Sequence, residues 1–251
     1  MQAPPPGAVV AAIGIQLQLA GSLLCLGLGL ILRRGVGQRP WINWWAWSFG
    51  AVALAVAALL VRYQLFPLPP LNLLPAQQAQ LVAGLYAAYA GGKLLFLACL
   101  LAGTWLYVRR RPLPRVRLAV GILVLLAVAL LFVLAPADLN PLMVWQAVIT
   151  IPVFLLCAGL LRSLPDARKS RGSRALTYVC VALAILWALY IPAFLRAGPD
   201  SSTPPDFLGW LTRYNSYTDV LFEFLLGFGM ILAVLDDVHH EAVAERQARL
   251  D

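Results

Sequence analysis

The sequence predicts an all-α membrane protein, a bundle of seven transmembrane helices with its N-terminus outside and its C-terminus in the cytoplasm. Three observations predict it. Of the 251 residues, 61% are hydrophobic and 12% are charged, with a mean hydropathy of +0.81, which is not the composition of a soluble domain. Seven separate apolar runs have the length, about 20 residues, that carries a helix across the hydrocarbon. Lys and Arg are segregated between alternate connections. The formal charge of +8 would otherwise suggest nucleic acid, but the basic residues sit in short loops between apolar runs, which is the pattern of membrane topology.

Taken in order, the first run is Ala8–Leu32. No basic residue precedes it, it is too long for a signal-peptide core, and Arg33 and Arg34 follow it, so it reads as an uncleaved first span. Gly35, Gly37 and Pro40 lead into the second span, Trp41–Val61. Pro67, Pro69, Pro70 and Pro75 punctuate the connection to the third, Leu81–Val108. After Pro112 and Pro114 comes the fourth, Leu118–Leu134, and after Pro136 the fifth, Leu142–Leu161. The sixth, Ala175–Leu195, follows Pro165, and the seventh, Tyr217–Leu235, follows Pro199, Pro204 and Pro205. Residues 1–237 form the membrane domain. Residues 238–251 continue as a cytoplasmic juxtamembrane helix. Its seam, Leu235, Val238, Ala242 and Arg249, spans barely two heptads and is at most the start of a signalling coiled coil.

Orientation follows from charge. Arg33, Arg34 and Arg39, then Arg109, Arg110, Arg111, Arg115 and Arg117, then Arg162, Arg168, Lys169, Arg171 and Arg174, then Arg246 and Arg249 all fall on one side. Only Arg62, Arg196 and Arg213 fall on the other. The basic side is cytoplasmic. The two long outer connections carry Phe66, Leu71, Leu73 and Leu74, and Phe207, Leu208 and Trp210. They read either as a lid over the outer mouth or as ordinary interfacial packing.

Charges within a span are costly and point to function. Counting from the cytoplasmic end of each span at about 1.5 Å per residue, Lys93 lies about 22 Å up, Glu223 about 18 Å and Asp219 about 24 Å. The hydrocarbon is about 30 Å thick, so one lysine and two acids share its outer half. Asp219 and Glu223 are spaced i,i+4 and share a helix face. Gln18, Gln146, Tyr190 and Trp187 fall at nearly the same height, and Tyr86 and Tyr89 stand just above the lysine. Gly91 and Gly92 would admit a neighbouring helix there, and Pro152 and Pro192 can widen the space between spans five and six. The layer reads as a ligand-binding or switch site walled by Lys93, Asp219, Glu223 and Gln146, as a structural ion pair that fixes helix order, or as a lysine that snorkels outward.

Other chemistries fit poorly. Cys25, Cys99, Cys157 and Cys180 lie one to a run, with no metal or disulfide spacing. The two histidines, His239 and His240, sit in the tail. His240–Glu241 lacks further ligands at a suitable spacing, and its flanks do not suit a phosphoacceptor. A retinal protein would need a lysine in span seven. An intramembrane zinc hydrolase would need several buried ligands. No catalytic residue, metal or cofactor is expected.

The stretch Arg39-Pro-Trp-Ile-Asn-Trp-Trp-Ala-Trp-Ser-Phe, the exit of span three at Gly103-Thr-Trp-Leu-Tyr-Val-Arg-Arg-Arg-Pro-Leu-Pro-Arg, and Gly227-Phe-Gly-Met-Ile-Leu-Ala-Val-Leu-Asp-Asp together resemble the seven-helix sensory input modules of bacterial histidine kinases and diguanylate cyclases. The resemblance covers nearly the whole chain. It implies signal transduction at the bacterial inner membrane, with a stimulus relayed through helix seven to a kinase or cyclase output domain, in cis or in trans, and across a homodimer. Such modules continue into an output domain. Ending at Asp251, this chain is expected to be a fragment of a longer protein or a stand-alone sensor. The alternative is a small seven-helix transporter or channel with a Lys–acid site, for which no internal repeat is visible.

Overall fold

The computed structural model describes residues 6–36, 39–65, 75–111, 121, 139–196 and 206–249. Among them it is helical, with short turns and no strand. We number the helices α1 (Pro6–Val36), α2 (Pro40–Leu60), α3 (Pro75–Arg109), α4 (Leu139–Arg162), α5 (Arg171–Arg196), α6 (Phe207–Arg213) and α7 (Asn215–Ala248). All but the seven-residue α6 are long and apolar enough to cross a membrane. These six correspond to the first, second, third, fifth, sixth and seventh predicted spans. The fourth, Leu118–Leu134, lies outside the described residues except for Gly121.

The helices outrun the apolar stretches that announced them. Pro75 opens α3 six residues before Leu81, with Pro at a helix start where its missing N–H costs nothing. Gln77, Gln78 and Gln80 then form an exposed turn before the apolar face begins. Beyond Leu60, α2 widens into a π-helical turn at Val61–Leu65. Pro152 and Pro192 both sit inside continuous helices.

Small residues set the closest approaches. A Cβ on Gly92 would meet Ala55 Cβ at 2.8 Å and the Ala51 carbonyl at 2.9 Å, so α2 passes directly beside the turn that carries Lys93. Gly91 faces open space. A Cβ on Gly172 would collide with the α7 backbone at Leu232 and Ala233, so only glycine lets the start of α5 lie this close to α7. Buried side chains from every long helix form one core that includes Phe49, Leu100, Phe154, Leu176 and Leu226. The outward faces carry Leu24, Trp47, Leu54, Leu156, Ile185 and Phe228 exposed, as expected of surfaces meeting lipid rather than water.

In the sixth connection, Asp206 caps α6, its carboxylate accepting from the Gly209 amide at 2.7 Å. Leu211 is buried, whereas Phe207 and Trp210 point outward and stack with centroids 6.4 Å apart. Phe66, Leu71, Leu73 and Leu74 lie outside the described residues.

Candidate functional site: a buried Lys–acid cluster and a second charged group on the same helix

The seven residues singled out from sequence converge. Lys93 on α3 is 5% exposed, and Asp219 and Glu223 on α7 are 7% and 8% exposed. The lysine Nζ stands 3.6 Å from Asp219 Oδ2 and 3.8 Å from Glu223 Oε1. It therefore pairs with both acids at once, so the choice between them does not arise. Spaced i,i+4, the acids project from one face of α7.

Each carboxylate has its own donors. Gln18 Nε2 donates to Glu223 Oε1 at 2.7 Å and Ser22 Oγ lies 2.8 Å from Glu223 Oε2. The Tyr190 hydroxyl lies 3.2 Å from Asp219 Oδ1, and Trp187 packs edge-on against the Tyr190 ring at 5.3 Å. Gln146 and Trp187, with Lys93, Asp219 and Glu223, line a cavity of about 20 Å³, room for about one water-sized particle. Helices α1, α3, α4, α5 and α7 all contribute.

Two members escaped the sequence reading. Ser22 and Thr150 are buried hydroxyls, the first on Glu223 and the second on the cavity wall. A signal for them existed. Gln18/Ser22, Tyr89/Lys93, Gln146/Thr150 and Asp219/Glu223 are all i,i+4 polar pairs, one pair on each of four helices. Recurrence of that spacing at one depth marks faces that share a polar centre.

At the other end of α7 a second charged group forms. Arg39, which opens α2, pairs with Asp237 and Glu241. Arg110, at the end of α3, places Nη2 2.6 Å from Asp237 Oδ1 and 2.7 Å from Oδ2. Asp236 Oδ2 accepts from the Gly172 amide at 2.8 Å, at the start of α5 where the backbone dipole favours an anion. Nearby, Arg168 donates to the carbonyls of Tyr107 at 2.8 Å and Val108 at 3.2 Å, tying the turn after α4 to the end of α3. Trp41, Trp45 and Tyr107 pack with centroids 5.0 to 5.3 Å apart beneath Arg110. The sequence reads the stretch from residue 238 only as a juxtamembrane helix, whereas all three of these α7 acids are held by the start of α2, the end of α3 or the start of α5. The sequence carried no sign of the pairing, because Arg39 and Asp237 are 198 positions apart.

Comparison of the chain with protein-family models, with curated proteins and with solved structures finds no match in any of the three.

Proposed function

We propose that the protein is a membrane sensor module, in which a stimulus acting at the Lys93–Asp219–Glu223 cluster is relayed through α7 to a cytoplasmic output domain or partner. One observation carries this reading. A single unbroken helix holds the buried acids near its outer end and, near its inner end, the Arg-bound acids Asp237 and Glu241 beside Asp236, which accepts from the Gly172 amide. Asp219 and Asp237 are separated by about 27 Å of helix at 1.5 Å per residue, so a displacement at one acid reaches the other without crossing a loop. The three stretches that resemble bacterial sensory modules supply the ring at the inner end, Arg39, Arg110 and Asp237.

The topology supporting this reading is seven spans, N-terminus outside, in a bacterial inner membrane. The C-terminal ends of α1, α3, α4 and α7 and the N-terminal ends of α2 and α5 gather on the basic side. α3 and α4 run parallel, which supports a further span between them, and Leu118–Leu134 is the apolar run that the sequence offers for it. Leu235 and Val243, exposed along the α7 extension, suit a homodimer seam.

A transporter would need a path from the cluster to the cytoplasm. Below it the buried side chains of Leu100, Phe154, Cys157, Cys180, Leu226 and Met230 form an apolar floor, which favours sensing over transport. The test is a fusion of this chain, in continuous helical phase after Asp251, to a kinase or cyclase domain. Output that responds to stimuli in the parent and is lost in Asp219→Ala and Glu223→Ala supports the reading. Equal responses in parent and variants defeat it, and substrate flux in liposomes would put the transporter in its place.

A further inference from the structure

We propose that the cavity beside Lys93 binds one small monovalent metal cation, held by Asp219, Gln146 and Thr150 as the third charge of the cluster. As a stimulus this ion would rest on the sensor reading. As a bound ligand it stands on the charge and geometry of the cluster, independently of that reading.

The first observation is charge. Two carboxylates face one ammonium, so with all three ionised the group carries a net single negative charge among residues no more than 8% exposed. An uncompensated charge at such a place is strongly unfavourable. The second is unused acceptor capacity. Gln146 Oε1 and Thr150 Oγ1 are buried with no hydrogen-bond partner among the described residues, on residues 3% and 2% exposed. Both residues line the same cavity as Lys93, Asp219 and Glu223. Buried polar atoms without partners are rare and need a reason. Glu223 already has a donor on each oxygen, from Gln18 and Ser22. Among the described residues, Asp219 has the Tyr190 hydroxyl at 3.2 Å on Oδ1 and the lysine at 3.6 Å on Oδ2, both longer than the 2.7 and 2.8 Å contacts on Glu223. The under-supplied oxygens are therefore those of Asp219, Gln146 and Thr150, the hard donor set that binds alkali and alkaline-earth ions.

The same features limit the occupant. A cavity of about 20 Å³ admits a single water-sized particle and no organic ligand. A divalent ion would overshoot the charge, because Lys93 already offsets one of the two acids. Among the described residues, no three His, Cys, Asp or Glu side chains gather as a divalent or transition-metal site would require.

The experiment follows thermal unfolding of the whole chain in one detergent by tryptophan fluorescence. Sodium chloride is titrated at constant ionic strength against choline chloride, at pH 5 and pH 8. Sodium should raise the midpoint saturably, by several degrees at high occupancy, and choline should not. Thr150→Val deletes a hydroxyl that has no protein partner, so it should leave the midpoint in choline unchanged or higher while abolishing the sodium response. Asp219→Asn, which removes the net charge, should abolish the response as well. An equal rise in choline, or a sodium response that survives in both variants, overturns the proposal. So does a full rise produced by pH 5 alone in sodium-free buffer, since a proton would then supply the missing charge. Loss of sodium binding leaves the fusion result standing, and a silent fusion leaves sodium binding standing, so the two readings fail separately.

Discussion

Lys93→Met is the perturbation that separates an energetically coupled cluster from three polar residues that happen to be neighbours. The substitution keeps an unbranched side chain of nearly the same length and removes an ammonium lying 3.6 and 3.8 Å from two carboxylates. Each pair is worth about 4 kcal/mol of attraction at an effective dielectric constant of about 20. Relief of burying the ammonium offsets part of that. Breaking a buried pair from one side costs about 3–5 kcal/mol. For a chain of this size each kcal/mol lowers the midpoint by about 2–4 °C, so the variant should melt about 6–20 °C below the parent. The control is Lys93→Met combined with Asp219→Asn and Glu223→Gln. It removes all three charges and keeps acceptors for Tyr190, Gln18 and Ser22. Replacing a buried ionic group wholesale is often neutral or stabilising, so the triple variant should recover most of the loss. The assay is thermal unfolding in sodium-free buffer and one detergent. A single variant melting with the parent, or a triple variant melting as low as the single, would refute the coupling.

Two further outcomes follow from the fold. Arg110→Ala and Asp237→Ala should each speed amide exchange over residues 238–249, and the double variant should add little to either. The pair is partly exposed, with side-chain exposures of 37% and 13%, so the coupling is about 1 kcal/mol and should fall as salt rises. For topology, Ser163→Cys should react with an impermeant maleimide only from the cytoplasmic side and Gln80→Cys only from outside. Both positions are exposed, while the four native cysteines are buried. Labelling of both from one side would overturn the proposed orientation.

The elements were legible because hydropathy reports lipid contact, and lipid contact is most of what this chain does. Their ends were less legible for the same reason. Gln77, Gln78 and Gln80 leave the hydrocarbon but not the helix, so the apolar run starts at Leu81 while α3 starts at Pro75. The site was legible in depth and not in phase. Counting residues placed Lys93 level with Asp219 and Glu223, and Gln18 level with Glu223, which pair in the structure. It did not distinguish Gly92, pressed against α2, from Gly91, whose added Cβ would meet no described residue within 4 Å. Ser22 and Thr150 went unread because a single hydroxyl in a helix is usually satisfied by its own backbone. Ser22 does lie 2.8 Å from the Gln18 carbonyl, yet it reaches Glu223 as well. The inner ring was hidden by sequence separation alone. Its residues are ordinary loop arginines and helix-end acids until α2, α3 and α7 bring them together.

The energies of the two charged groups bear on what α7 can transmit. Driving a two-state helix from about 1% to about 99% occupancy takes about 5.5 kcal/mol of differential interaction. Losing or gaining one charge at the Lys93 cluster changes its energy by about 3–5 kcal/mol, slightly less than a full switch. The exposed part of the inner ring, Arg39 with Glu241 and Arg110 with Asp237, adds about 1 kcal/mol per pair. The outer cluster alone would therefore bias α7 without saturating it. Under the proposed sensor reading, a complete response needs the ring to break in the same step. That makes the ring part of the set point. Weakening Arg110–Asp237 should raise basal output and reduce the dynamic range, whereas weakening the outer cluster should abolish responsiveness. A protein in which α7 were only a structural strut would show neither asymmetry.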